Sequence, residues 1–158
     1  MSKYDDASWH YGGDFPDELP EKNGATHTGM FLNWCIHNNL ISDELREGAA
    51  EEIKKLKRRE STGAEFLMEV MDGKFSEYDL NATGNAFAQD YYKDETDFGN
   101  RYSSFADDYV NLFDTKAEEN DYEYETFYHI EDTYENYDLM KQIIDYRFEE
   151  WKEYKNLD

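Results

Sequence analysis

The chain has 158 residues with 38 acidic and 16 basic side chains, a formal net charge of −22, and 17% aromatic residues: 14 Tyr, 10 Phe and three Trp. Such a body repels nucleic acid and anionic lipid, which excludes direct binding to either and leaves basic protein surfaces as the attracted class. Acidity alone would keep a chain unfolded, but this many rings can bury a core, so a single domain over 1–158 is expected.

The N-terminus, Met1-Ser2-Lys3-Tyr4-Asp5-Asp6, carries no apolar run and no cleavage pattern. The longest apolar stretch, Met30 to Ile36, is interrupted by Asn33 and falls well short of the roughly 20 residues that span a bilayer. One cysteine, Cys35, permits no internal disulfide, so a reducing, cytoplasmic location is expected. Cys35 lies on an apolar helical face and reads as a buried, inert thiol.

In chain order, residues 1–25 read as an irregular arm. Gly12-Gly13, Pro16, Pro20 and Gly24 punctuate it, yet Tyr4, Trp9, Tyr11 and Phe15 predict that it is ordered and packed on helices. From Thr26 the period turns helical: His27, Met30, Phe31, Trp34, Cys35 and Asn38 share one face. Ser42 caps a second helix through Leu45, Ala49, Ile53 and Leu56, ending in the basic run Lys54 to Arg59. Thr62 and Glu65 make a capping box, and Asp72-Gly73 closes the helix that it opens. A helix over 85–93, a loop over 94–99 and a helix over 101–113 follow. Tyr122 to Ile130 alternates loosely, which is compatible with a short β segment near 122–130 and equally with an extended segment or a helix extension. Asp132 and Glu135 frame a last helix with Tyr137, Met140, Ile144, Phe148 and Trp151 on one face. The expected fold class is mainly α: a single-domain bundle of about six helices over 26–154, with the arm, 1–25, laid on it.

Chemical motifs are sparse. Gly12-Gly13 lacks the further glycines and the lysine of a phosphate loop. Asp72-Gly73-Lys74 fails as a calcium loop, because the first and third ligand positions would be Met68 and Val70. His27 and His37, ten residues apart on one helix, stand about 15 Å apart and cannot share a metal. His10 near Asp5, Asp6 and Asp14 offers metal-binding residue types, but carboxylates are so frequent here that their proximity is expected by chance. No catalytic residue, metal or cofactor is therefore assigned.

Three blocks carry a resemblance: Asp5-Asp6-Ala7-Ser8-Trp9-His10, Gly12-Gly13-Asp14-Phe15-Pro16, and Thr26-His27-Thr28-Gly29-Met30-Phe31-Leu32-Asn33-Trp34. Gly84-Asn85-Ala86-Phe87-Ala88, Tyr91-Tyr92 and Asp132-Thr133-Tyr134-Glu135-Asn136-Tyr137 extend it over most of the chain. On these residues the sequence resembles a family of small uncharacterised bacterial cytosolic proteins. The resemblance implies an immunity role, neutralising polymorphic or contact-delivered toxins, and supplies no catalytic residues. In the arm, Trp9 and Phe15 are expected to cover the face of Met30 and Trp34. His10 and His27 are expected to tie arm to helix, and Gly29 to mark a close backbone approach, with the arm as nearest candidate.

Function follows from sign. Between Asp94 and Glu150 there are eighteen acids against Arg101, Lys116, Lys141 and Arg147. The leading expectation is a non-enzymatic immunity or inhibitor protein that binds a basic cognate toxin domain, with contacts at Tyr91, Tyr92, Asp107, Asp108, Glu123, Glu125, Asp132 and Glu135. One alternative is a DNA mimic aimed at a DNA-binding protein. Another is a small ligand-binding or enzymatic domain with a pocket between arm and first helix, lined by Trp9, His10, Asp14, His27 and Trp34.

Overall fold

The computed structural model describes residues 3–10, 16 and 18–156, and it is mainly helical. Its spine is α1 (Thr26–His37), in which every residue from Thr26 to Ile36 is buried. A helix enclosed on all sides needs small residues where neighbours come close. Gly29 is such a point, and the neighbour is α4 (Gly63–Met71), not the arm as expected. A Cβ on Gly29 would stand 2.3 Å from the Ala64 nitrogen, and one on Gly63 would stand 1.8 Å from the Gly29 oxygen. Two glycines face each other, so the backbones of α1 and the start of α4 touch.

Capping chemistry sets most element boundaries. Ser42 accepts a hydrogen bond from the Leu45 amide and opens α2 (Asp43–Gly48). The single helix expected from Ser42 onward breaks at Ala49, and α3 (Ala50–Lys57) follows. Gly48, a poor helix former, weakens the chain at that joint. Thr62 and Glu65 form the expected capping box at the head of α4. Asp72 and Gly73, with φ of 54° and 76°, end it in the left-handed region.

That turn feeds β2 (Lys74–Ser76), which pairs antiparallel with β1 (Lys3–Asp6). Sequence reading placed no strand at either segment. Each is three or four residues long, too short for alternation to register. The β segment considered near 122–130 is absent: those residues form a loop and a 3-10 turn, Phe127–His129, capped by Thr126. Its alternation of Tyr and acidic residues reflects half-exposed side chains on a loop with no strand beside it.

The remaining helices are α5 (Ala82–Tyr91), α6 (Asp97–Arg101), α7 (Phe105–Glu119) and α8 (Tyr134–Tyr154). Asn81, Ser104 and Thr133 cap α5, α7 and α8. Thus α6 occupies part of the expected loop, and α7 starts later and runs longer than expected. Among the described residues no helix is long and apolar enough to cross a membrane.

The core is aromatic. Phe31 lies within 4.9–6.3 Å, centroid to centroid, of Tyr92, Phe105, Phe87, Phe75, Trp34 and Tyr91. Both buried tryptophans have their indole N–H satisfied by a carboxylate from another helix. Trp34 Nε1 donates to Asp145 at 2.8 Å, and Trp151 Nε1 donates to Asp90 at 2.8 Å. Asp108 accepts from Tyr91 at 2.7 Å and from Arg147 at 2.9 and 3.1 Å, pinning α7 to α5 and α8. Several acids are therefore structural rather than available to a partner.

Gly29→Ala tests the α1–α4 contact. Its methyl would collide with backbone that cannot rotate away, so about 2–3 kcal/mol of stability should be lost, a fall in melting temperature of roughly 5–10 °C. Thermal unfolding followed by circular dichroism measures it, with Gly48→Ala, where no atom lies within 4 Å, as the tolerated control.

Candidate functional site

The arm delivers Asp5 to the interior by a local device. The register of β1 slips between Lys3 and Asp5, a bulge that breaks strict in–out alternation, and Tyr4, Asp5 and Asp6 are all buried. Asp6 then accepts from the Ser8 amide at 3.0 Å and the Ser8 hydroxyl at 2.8 Å, turning the chain into the 3-10 turn Ala7–His10. The turn folds the His10 ring back onto Asp5.

Four elements converge on that carboxylate. His10 Nε2 lies 2.8 Å from Oδ1, and His27 Nε2, from the first turn of α1, lies 3.2 Å from Oδ2. The Thr28 hydroxyl donates to Oδ2 at 3.0 Å, and the Tyr92 phenol, just past α5, donates to it at 2.7 Å. The Asp6 amide donates to Oδ1 at 2.9 Å. On the far side, His10 Nδ1 meets the Tyr128 hydroxyl at 2.9 Å. The two imidazoles pack edge to face, 4.7 Å between centroids. His27 Nδ1 is buried without a hydrogen-bond partner.

Burial by itself raises the Asp5 pKa, but the hydrogen bonds from His10, His27 and Tyr92 outweigh it and hold the carboxyl well below the usual carboxylate range. Burial drives the His27 imidazole down, against the opposing pull of Asp5. Burial and the nearby Asp5 charge push the Tyr92 phenol well up. The cluster is thus an ionised carboxylate ringed by donors, beside a buried imidazole that resists protonation.

The cluster forms one wall of a cavity of about 670 Å³, whose lining includes Lys3, Trp9, Lys93, Phe105, Phe127 and Tyr128. The pocket between arm and first helix therefore exists, with changes in its membership. His10 and His27 line it. Trp9 does too, but at the mouth with 57% of its surface exposed, so it does not cover Met30 and Trp34 as expected. Trp34 does not line it: its ring packs between Phe31, Phe87 and Phe148 in the core. Asp14 and Phe15 lie outside the described residues. Asp5 and Tyr92, which sequence reading left out of this pocket, are its central polar groups. For Asp5 the signals were its place in the Asp5-to-His10 block and its nearness to His10 among metal-binding residue types. Tyr92 belonged to the Tyr91-Tyr92 pair that carries the resemblance but was expected at a partner-contact surface.

The expected partner-contact residues also divide. Tyr91 and Asp108 are buried and bonded to each other, which removes them from any surface. Tyr92 serves the pocket, and Asp132 accepts from the Thr62 hydroxyl at 2.5 Å. Asp107, Glu123, Glu125 and Glu135 are exposed. Beside Glu123 is a second depression of about 720 Å³ at the C-terminal end of α7, lined by Asp114, Glu118, Asp121, Tyr122, Glu123 and Tyr124.

Residues 3–126 match the family described as Domain of unknown function (DUF7832). The chain belongs to that family. The match takes in the arm, the whole Asp5 cluster apart from Tyr128, and the acidic depression; α8, which closes the core with Trp151 and Arg147, lies beyond it. No curated protein and no solved structure matches the chain.

A pH titration of stability tests the burial of His27. Unfolded, its imidazole takes a proton near pH 6.5; folded, it does so only at lower pH. Stability contributed by this group is present above about pH 6.5 and is lost as pH falls through the window below. The gap in unfolding free energy between the native sequence and His27→Gln should narrow from pH 7.5 to pH 5, by up to about 1.4 kcal/mol per pH unit. A gap that stays constant would show that His27 titrates normally.

Proposed function

We propose that the protein is a non-enzymatic immunity or inhibitor protein that binds a basic cognate toxin domain through the acidic, tyrosine-bearing depression at the end of α7. The observation that carries this reading is the state of the acids there. Asp114, Glu118, Asp121 and Glu123 crowd one concave surface, and among the described residues none lies within 4 Å of a cation. Clustered charge of one sign destabilises a fold through self-repulsion, and a partner that inserts Arg or Lys relieves it. Tyr122 and Tyr124 stand edge to face, 5.2 Å between centroids. They present the amphipathic rings that anchor interfaces, and their π faces also receive cations.

Glu125, which lines a smaller neighbouring depression with Asp114 and Tyr124, extends the field beside this surface, so steering of a basic partner accompanies docking. Asp107 lies in the first turn of α7, at the helix's other end. The resemblance to toxin-neutralising proteins supplies the class of partner. A second reading, a small-ligand site in the arm pocket, is favoured by the Asp5 cluster and its cavity.

Co-expression with a candidate basic toxin domain taken from a neighbouring gene tests the main reading. The native chain should restore growth and form a complex whose association slows as salt rises. Glu118→Lys with Asp121→Lys and Glu123→Lys should weaken that complex at least ~100-fold, since several charge pairs turn repulsive at once. Absence of both rescue and complex formation with the native chain would refute the proposal.

A further inference from the structure

The Asp5 cluster holds more donors of metal-binding type than a structural tie between arm and helix requires. We propose that Asp5, His10 and His27 bind a divalent transition-metal ion of the zinc class, with the remaining coordination positions open to the arm cavity.

The donor set is the first ground. Two imidazole nitrogens and one carboxylate suit zinc and its neighbours, whereas calcium and magnesium require shells built largely of oxygen. Geometry is the second. One ligand atom from each residue falls within 4.8 Å of the others, and Asp5 Oδ1 stands 2.8 Å from His10 Nε2 while Oδ2 stands 3.2 Å from His27 Nε2. An ion about 2.0–2.1 Å from each donor in tetrahedral geometry holds neighbouring donors roughly 3.3 Å apart. The cluster therefore needs only small side-chain shifts to close on an ion.

The surrounding hydrogen bonds support two of the three ligands. Coordinating through Nε2, His10 turns Nδ1–H toward the Tyr128 hydroxyl, 2.9 Å away, the kind of outer hydrogen bond that orients a metal-bound histidine. Thr28 and Tyr92 fix the carboxylate from behind through Oδ2. His27 Nε2 also lies on the carboxylate, but its Nδ1 is buried without a hydrogen-bond partner, so this histidine lacks such an outer bond. Three protein ligands facing a cavity of about 670 Å³ leave room for water or an exogenous ligand on the ion.

An internal control is available. Glu18, Glu125 and His129 also bring ligand atoms within 4.8 Å of one another, but both carboxylates are exposed and no cavity among the described pockets contains all three. After stripping with chelator, the full chain should be titrated with Zn²⁺ by calorimetry alongside His10→Gln, His27→Gln and His129→Gln. Circular dichroism should confirm that each variant is folded. The native chain and His129→Gln should bind one ion with Kd below about 10 μM. His10→Gln and His27→Gln should bind at least ~10-fold more weakly. If His27→Gln fails to fold, His10→Gln, whose side chain is partly exposed at the cavity, decides. Weaker binding by the native chain, or a loss confined to His129→Gln, would overturn the proposal.

Discussion

The interaction on which the rest of the site depends is the buried carboxylate of Asp5. It draws together a short strand, the first turn of α1, the residue after α5 and, through His10, the turn carrying Tyr128. A buried charge is costly unless its lone pairs are filled, and here donors from several elements fill them. The arm is held to the helices by this cluster together with the β1–β2 pairing and the Tyr4–Asn85 hydrogen bond. Losing the carboxylate would leave His27 Nε2 without its acceptor in the interior, while Thr28 and Tyr92 would retain each other at 2.8 Å.

Legibility in the sequence followed the range of the interactions. Ser42, the Thr62–Glu65 box and the Asp72-Gly73 stop act within a few residues, and all three stand where sequence reading placed them. The face of α8 was equally readable, because a four-turn apolar stripe admits one interpretation. The β1–β2 pair was invisible: it joins two very short segments some seventy residues apart. Gly29 was recognised as a close approach, but its partner Gly63 belongs to a different helix, and nothing local to either residue connects them. In the pocket, His27 was legible as an arm-to-helix tie, whereas His10 bonds Asp5 within the arm and Tyr128 rather than the first helix. Asp5 as their shared acceptor was not, because a chain with 38 acids hides the few that are buried.

The charge likewise separates into two populations. Asp90, Asp108 and Asp145 receive hydrogen bonds from tryptophan, tyrosine or arginine and hold helices together. Asp114, Glu118, Asp121 and Glu123 hold nothing of this kind and face outward as a group. Net charge therefore overstates the acidic surface left unengaged, and the grouping of these four acids concentrates it at the end of α7. The Asp5 cluster and this depression are built from different side chains, so recognition of a partner at one does not require the other to be empty or filled.

The central claim is that the Asp5 carboxylate organises the arm and the pocket, and chemical denaturation of Asp5→Asn tests it most directly. The amide has nearly the same shape but carries no charge, and its NH₂ group faces donors rather than acceptors. The account predicts a loss of about 2–4 kcal/mol at neutral pH, shrinking as pH falls below about 4, where the native carboxylate also begins to lose its advantage over the unfolded state. A variant as stable as the native chain at pH 7 would contradict it.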